Sequence, residues 1–150
     1  MSKAGFIEFF ERDLNALGKE INLYNEERNL WITSGTIHNC AGNLCLHLIG
    51  NLNHFIGAVL GKTGYVRDRE KEFSLKNIPR TELLSSVEKT TQTVTQTLSR
   101  LSIEEYNSLY PIEFSGKNLM TDYMLLQLST HLNYHLGQIN YHRRLLDQQN

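Results

Sequence analysis

Apolar side chains recur at Phe6, Phe10, Leu14, Leu17, Ile21 and Tyr24 in steps of three and four, which places all six on one face of a helix. The pattern predicts a first amphipathic helix over residues 4–25, ended by the polar run Asn25-Glu26-Glu27-Arg28-Asn29. A second helical pattern over residues 36–61 carries two neighbouring stripes. One is apolar: Ala41, Cys45, Leu48, Leu52, Phe55 and Val59. The other mixes in polar groups: Cys40, Leu44, His47, Asn51, His54 and Ala58. A third pattern starts at Thr81, a suitable N-cap with Glu82 behind it, and runs through Leu84, Val87, Thr91, Val94, Leu98 and Leu101. The fourth starts at Thr121-Asp122, a capping residue with an acid in the first turn, and continues to about Leu146.

Between the second and third helices, Gly61 to Pro79 forms a connection of 19 residues, longer than neighbouring antiparallel helices need. Such a segment can cross a bundle from end to end. No repeat, low-complexity tract or strand-like alternation supports a sheet or a second domain. A chain of 150 residues is one ordinary domain, able to bury a core without obligatory disulfides or structural metals. The expected fold is therefore all-α: one domain over residues 1–150, a four-helix bundle with a long connection between helices 2 and 3.

The inner stripe of the fourth helix reads Met124, Leu128, His131, His135, Gln138, His142 and Leu145, so four successive core-type positions are polar. Left unpaired in a core, such groups cost about 1–3 kcal/mol each, so they require partners: water, one another or a metal. Asn43, His47, Asn51 and His54 form the matching set on the second helix. At about 1.5 Å of rise per residue, His142 lies roughly 10 Å from His135, and His54 equally far from His47, too far to share one ion. His131 and His135, four apart on one face, can share one; a third ligand has to come across from His47 or His54. Three histidines without a fourth protein ligand leave a position for water or substrate, as catalytic zinc sites do. The competing reading is a set of hydrogen-bonded core histidines.

Charge narrows the field of partners. With 15 basic and 16 acidic residues, the net charge is -1, which supplies no field for drawing in nucleic acid or an acidic membrane. Cys40 and Cys45, five apart on one predicted helix, point away from each other and are not expected to bridge. The N-terminal residues lead directly into an amphipathic pattern with no apolar signal-peptide region, and no uninterrupted apolar run approaches the roughly 20 residues that span a bilayer. The expectation is a cytoplasmic protein with a small-molecule substrate.

Three segments carry a resemblance: Leu46-His47-Leu48-Ile49-Gly50-Asn51-Leu52, then Gly64-Tyr65-Val66-Arg67-Asp68-Arg69-Glu70-Lys71-Glu72-Phe73, then His131-Leu132-Asn133-Tyr134-His135-Leu136-Gly137-Gln138-Ile139. In this order they resemble the DinB/YfiT-like superfamily of metal-dependent bundles. The resemblance implies a four-helix bundle and selects His47, with His131 and His135, as the ligands of one metal ion; imidazole ligands suit zinc, nickel, copper and iron alike, and the expected divalent transition metal is zinc or nickel. It also implies that Asn51 and Gln138 stand near the site as outer or substrate-orienting groups, and that the protein is a homodimer; His54, like His38 and His142, is read separately as a hydrogen-bonded or partly exposed histidine, with the pocket edge as the alternative for His54 and His142. Arg67, Asp68, Arg69 and Glu72 are expected to pack against the helices as a salt-bridged anchor, the alternative being an anionic-substrate clamp. Trp31 and Tyr24 are expected to close one end of the core.

The resemblance further implies a metal-dependent transferase using a low-molecular-weight thiol such as bacillithiol or mycothiol, activated as its thiolate. No catalytic residue is assigned from the sequence. The alternatives are a metal-dependent hydrolase, which needs a carboxylate or other base beside the ion, and a non-catalytic dimeric bundle with a structural or vestigial metal site.

Overall fold

The computed structural model describes residues 1–148. Among them the structure is all-helical, with two isolated antiparallel bridges, Leu109 to Met120 and Phe114 to Lys117, and no strand. Helix α1 spans Lys3–Asn22, and Ser2 caps it by accepting from the Gly5 N–H at 3.1 Å. Phe6, Phe10, Leu14, Leu17, Ile21 and, just past the helix, Tyr24 are all buried. A 3-10 turn, Glu27–Trp31, follows.

Helix α2 spans Ala41–Leu52 and runs without a break into π-helical turns at Asn53–Leu60. Its start falls later than the hydrophobic pattern predicts. Gly35 takes a positive φ of 56°, and Cys40 is an extended cap, so residues 36–40 are not helical. Cys40 and Cys45 are buried and free. By length and composition Ala41–Leu60 is the one described helix that could cross a membrane, with a mean hydropathy of 1.2. It is mostly buried inside the protein and carries Asn43, His47, Asn51, Asn53 and His54, so its apolar character belongs to the core.

The connection after α2 holds a short helix, α3, at Arg69–Ser74, capped by the Asp68 carboxylate. Asn43 donates to the Glu72 and Leu75 carbonyls at 2.9 and 2.8 Å, so this segment doubles back along α2. Helix α4, Arg80–Arg100, is headed by Pro79 rather than Thr81, because the Pro79 carbonyl already accepts from the N–H groups of Glu82 and Leu83. Its buried stripe is Leu83, Val87, Thr90, Val94, Thr97, Leu98; Leu84 and Thr91 lie beside it.

The threonines have a packing reason. Asn53 bonds Thr90 at 2.8 Å, a Cβ on Gly57 would meet Thr93 at 3.0 Å, and one on Gly61 would meet Thr97, so α2 and α4 run parallel and close. Several of these hydroxyls bond the carbonyl one turn back, as Thr90 does to Ser86 at 2.8 Å.

Helix α5, Ile103–Tyr106, begins with a full capping box between Ser102 and Glu105. Helix α6 spans Thr121–Leu146, with Met120 as its cap and Thr121 already inside the first turn. Asn133 bonds Asp13 and both Asn140 and Arg143 bond Glu20, which sets α6 parallel to α1. Helices α1, α2, α4 and α6 enclose one core of side chains running from Phe6 to Ile139. The α6 face differs from its predicted stripe: Met124, Leu125, Leu128, Leu132, Ile139 and His142 are buried, whereas Gln138 and Leu145 are exposed. His131 and His135 thus stand at the border between core and solvent.

Candidate metal centre

His47 lies on α2 and is 6% exposed; His131 and His135 are half-buried on α6, one turn apart. Their Nε2 atoms converge, at 3.1 Å for both His47–His131 and His135–His131, and the ligand atoms of all three lie within 4.8 Å of one another. Three nitrogens at about 2.0–2.1 Å from a tetrahedral ion would stand about 3.3 Å apart, close to the spacing here.

The outer nitrogens explain which protons are present. Glu72 sets its Oε1 3.0 Å from His47 Nδ1, and Gln138 sets its Oε1 2.6 Å from His135 Nδ1. Both oxygens can only accept, so each Nδ1 carries the proton and each Nε2 presents a lone pair to the shared point. Converging lone pairs repel without a cation between them, so the donor set fits a metal ion. Burial pushes the His131 imidazole down to about 4, helped by neighbouring His135, His47 and Arg67. Burial also lowers His47, against the pull of Glu72, and His135, against Gln138. All three are thereby neutral near pH 7, the form that binds metal.

Glu72 is the residue the sequence reading left in the loop anchor without linking it to the site. Arg67 grips it with Nε to Oε2 and Nη2 to Oε1, both at 2.8 Å, and the carboxylate is 5% exposed. The anchor reading therefore holds for this pair, and Arg67 is occupied rather than open to a substrate anion. Asp68 pairs with Lys71 in solvent, and Arg69 stacks over Phe73. The carboxylate reaches His47 because residue 50 is glycine: a Cβ there would lie 2.6 Å from Glu72 Cδ. A glycine three positions after a candidate ligand, on the same helix face, was the signal available in the sequence.

His54 is not among the converging nitrogens. It is half-buried and stacks edge-on against Phe55 at 4.7 Å. Asn51 is buried, and its Oδ1 has no hydrogen-bond partner. His142 is committed elsewhere: its Nε2 donates to the Ile32 carbonyl at 2.9 Å, leaving Nδ1 to accept from the Tyr24 hydroxyl at 2.7 Å. Tyr24 thus seals its end of the core, while Trp31 lies flat over Gly42. Phe73, with its ring centre 5.0 Å from that of His47, and Tyr134, 5.2 Å from His135, flank the three histidines.

A model of a family described as a protein of unknown function, DUF1572, matches residues 6–150. The chain belongs to the DUF1572 family. No curated protein matches it. What this member of DUF1572 brings to its function is accordingly read from the three histidines, which could hold a metal ion.

Proposed function

We propose that this DUF1572 protein is a DinB/YfiT-like four-helix bundle whose His47, His131 and His135 hold a divalent transition metal, zinc or nickel, and that it serves as a metal-dependent transferase using a low-molecular-weight thiol. The observation that carries the reading is the charge of the donor set. Three neutral imidazoles face the common point, and among the described residues the one carboxylate touching them, Glu72, is neutralised by Arg67. A divalent ion there keeps its double charge, so an anionic fourth ligand such as a thiolate is favoured. When bound, the ion supplies the Lewis acidity that turns a thiol into its thiolate near neutral pH. The chain's part is to hold the imidazoles in one tautomer, and Phe73 and Tyr134 keep an apolar rim around them.

A hydrolase reading is weaker for a specific reason: Glu72, which would have to be the base, spends its oxygens on Arg67 and His47. Exposed Tyr123, Leu126, Tyr134, Tyr141 and Leu145 share one face of α6, and we place the partner copy of a homodimer there. Free thiols at Cys40 and Cys45 suit a reducing, cytoplasmic setting.

The test is elemental analysis of tag-free protein beside His47→Ala and His131→Ala variants of confirmed fold. About one equivalent of metal is expected in the parent and none in the variants. Turnover of electrophiles should then appear only with an added thiol; turnover without one would favour hydrolysis. No uptake from zinc or nickel solutions would refute the metal reading.

A further inference from the structure

Two of the three histidines have an acceptor on their outer nitrogen, a carboxylate for His47 and a carboxamide for His135. The third does not: His131 Nδ1 is buried without a hydrogen-bond partner. An unpaired buried imidazole nitrogen is a standing cost, tolerated where function uses it. One turn beyond His47 on α2, the Asn51 Oδ1 is likewise buried and unpaired, on a side chain 7% exposed.

Helix direction sets their two residues on facing turns. Leu44 shares a cleft of about 360 Å³ with Gln138, Tyr141 and Leu145, while His47, three residues later, meets His131 and His135. Helices α2 and α6 are therefore antiparallel, and one further turn along α2 corresponds to one turn back along α6, from His135 towards His131.

We infer that Asn51 is the positioning residue of His131: its Oδ1 accepts the Nδ1–H of His131 when Nε2 takes the metal, so that all three ligands are locked as the same tautomer. This rests on the metal reading above. The inference explains a buried amide oxygen and a buried imidazole nitrogen with one bond, and gives each ligand its own outer acceptor from a different stretch of chain: Glu72, Gln138 and Asn51.

The role makes opposite demands on the metal-free and loaded protein, which a structural asparagine would not. Asn51→Leu is close in volume and removes an unpaired acceptor, so the metal-free variant should melt at the same temperature as the parent or higher. Its zinc affinity, measured by competition with a chromophoric chelator, should fall 10- to 100-fold. Asn51→Asp keeps an acceptor at the same place and should retain parental affinity or exceed it. Nitrogen-15 imidazole spectra of the zinc-loaded parent should show a slowly exchanging His131 Nδ1–H, with fast exchange in Asn51→Leu. Equal zinc affinity in parent and Asn51→Leu, with an unchanged His131 signal, overturns the inference and leaves the metal site standing. A parent that takes up no zinc overturns both. Should Asn51→Leu fail to fold, the His131 Nδ1–H signal of the loaded parent decides alone, fast exchange being the contrary result.

Discussion

Replacing Gly50 by alanine tests whether the Glu72 carboxylate is held against His47 by fit. The added Cβ would sit 2.6 Å from Glu72 Cδ and 3.2 Å from Cγ, with Oε2 nearer still, whereas ordinary contact begins near 3.4 Å. The carboxylate must withdraw by about 0.8 Å at least. That stretches a 3.0 Å bond to His47 and two 2.8 Å bonds to Arg67 beyond hydrogen-bonding range. Breaking such a buried pair costs about 3–5 kcal/mol, against a gain of about 1 kcal/mol when alanine replaces glycine inside a helix. The net expectation for the metal-free protein is a loss of about 2–4 kcal/mol in urea unfolding. Zinc affinity should drop 10- to 100-fold, or about 1.4–2.7 kcal/mol, because His47 loses its orienting acceptor. Gly137→Ala supplies the control: it lies in α6, is exposed, and a Cβ there meets nothing within 4 Å, so it should stabilise by up to about 1 kcal/mol. If Gly50→Ala proves as stable as Gly137→Ala and binds zinc normally, the argument that the glycine makes room for the carboxylate is wrong.

Gly42→Ala drives a Cβ to 2.6–2.7 Å from three ring atoms of Trp31, a rigid neighbour; overpacking of about 1–3 kcal/mol is expected, with a shift in the emission of this single tryptophan, and an unchanged spectrum would contradict it. Asp147 is buried, which alone would raise its carboxyl, but the N–H groups of Asn25 and Glu26 and the Asn29 amide, with Arg143 nearby, bring it below its ordinary value. Its native pKa being lower than its unfolded one, the stabilisation is full above about pH 4 and fades as pH falls through the native value. Asp147→Asn should therefore cost about 1–3 kcal/mol at pH 7 and progressively less on acidification; a gap in melting temperature that stays constant down to pH 2 would rule this out.

Long-period features were legible in the sequence, because a face that must be buried repeats on the helical period over five or six turns. Every apolar position read on α1 is in the core, and the helical class follows from the same rule. Helix starts were less legible. Thr81 and Thr121 are sound capping residues by type, yet the chain turns one or two residues earlier, at Pro79 and Met120, where backbone carbonyls do the work. One-turn helices escaped although Ser102-Ile103-Glu104-Glu105 carries a capping-box spacing, since a single turn offers no periodicity to detect. At the centre, spacing could join His131 to His135 but not choose between His47 and His54. The departure of the backbone into π-helical turns at Asn53 comes just before His54, and no residue pattern announces it. Glu72 was harder to read for a related reason: Gly50 leaves room on the His47 face, but what fills that room depends on a connection folding back, as the Asn43 bonds to the Glu72 and Leu75 carbonyls show.

The candidate ligands His47 and His131 are 84 positions apart in the chain, and a third element, the connection, carries Glu72 to the same point. An ion seated there would act as a clasp on the whole tertiary arrangement. Any excursion that parts α2 from α6 would have to surrender it. By mass action the folded population would then be enriched in proportion to free metal, by about 2.7 kcal/mol at a hundredfold excess over the dissociation constant. The lifetime of the protein in a cell would accordingly track metal supply, so that scarcity removes the protein itself as well as its activity.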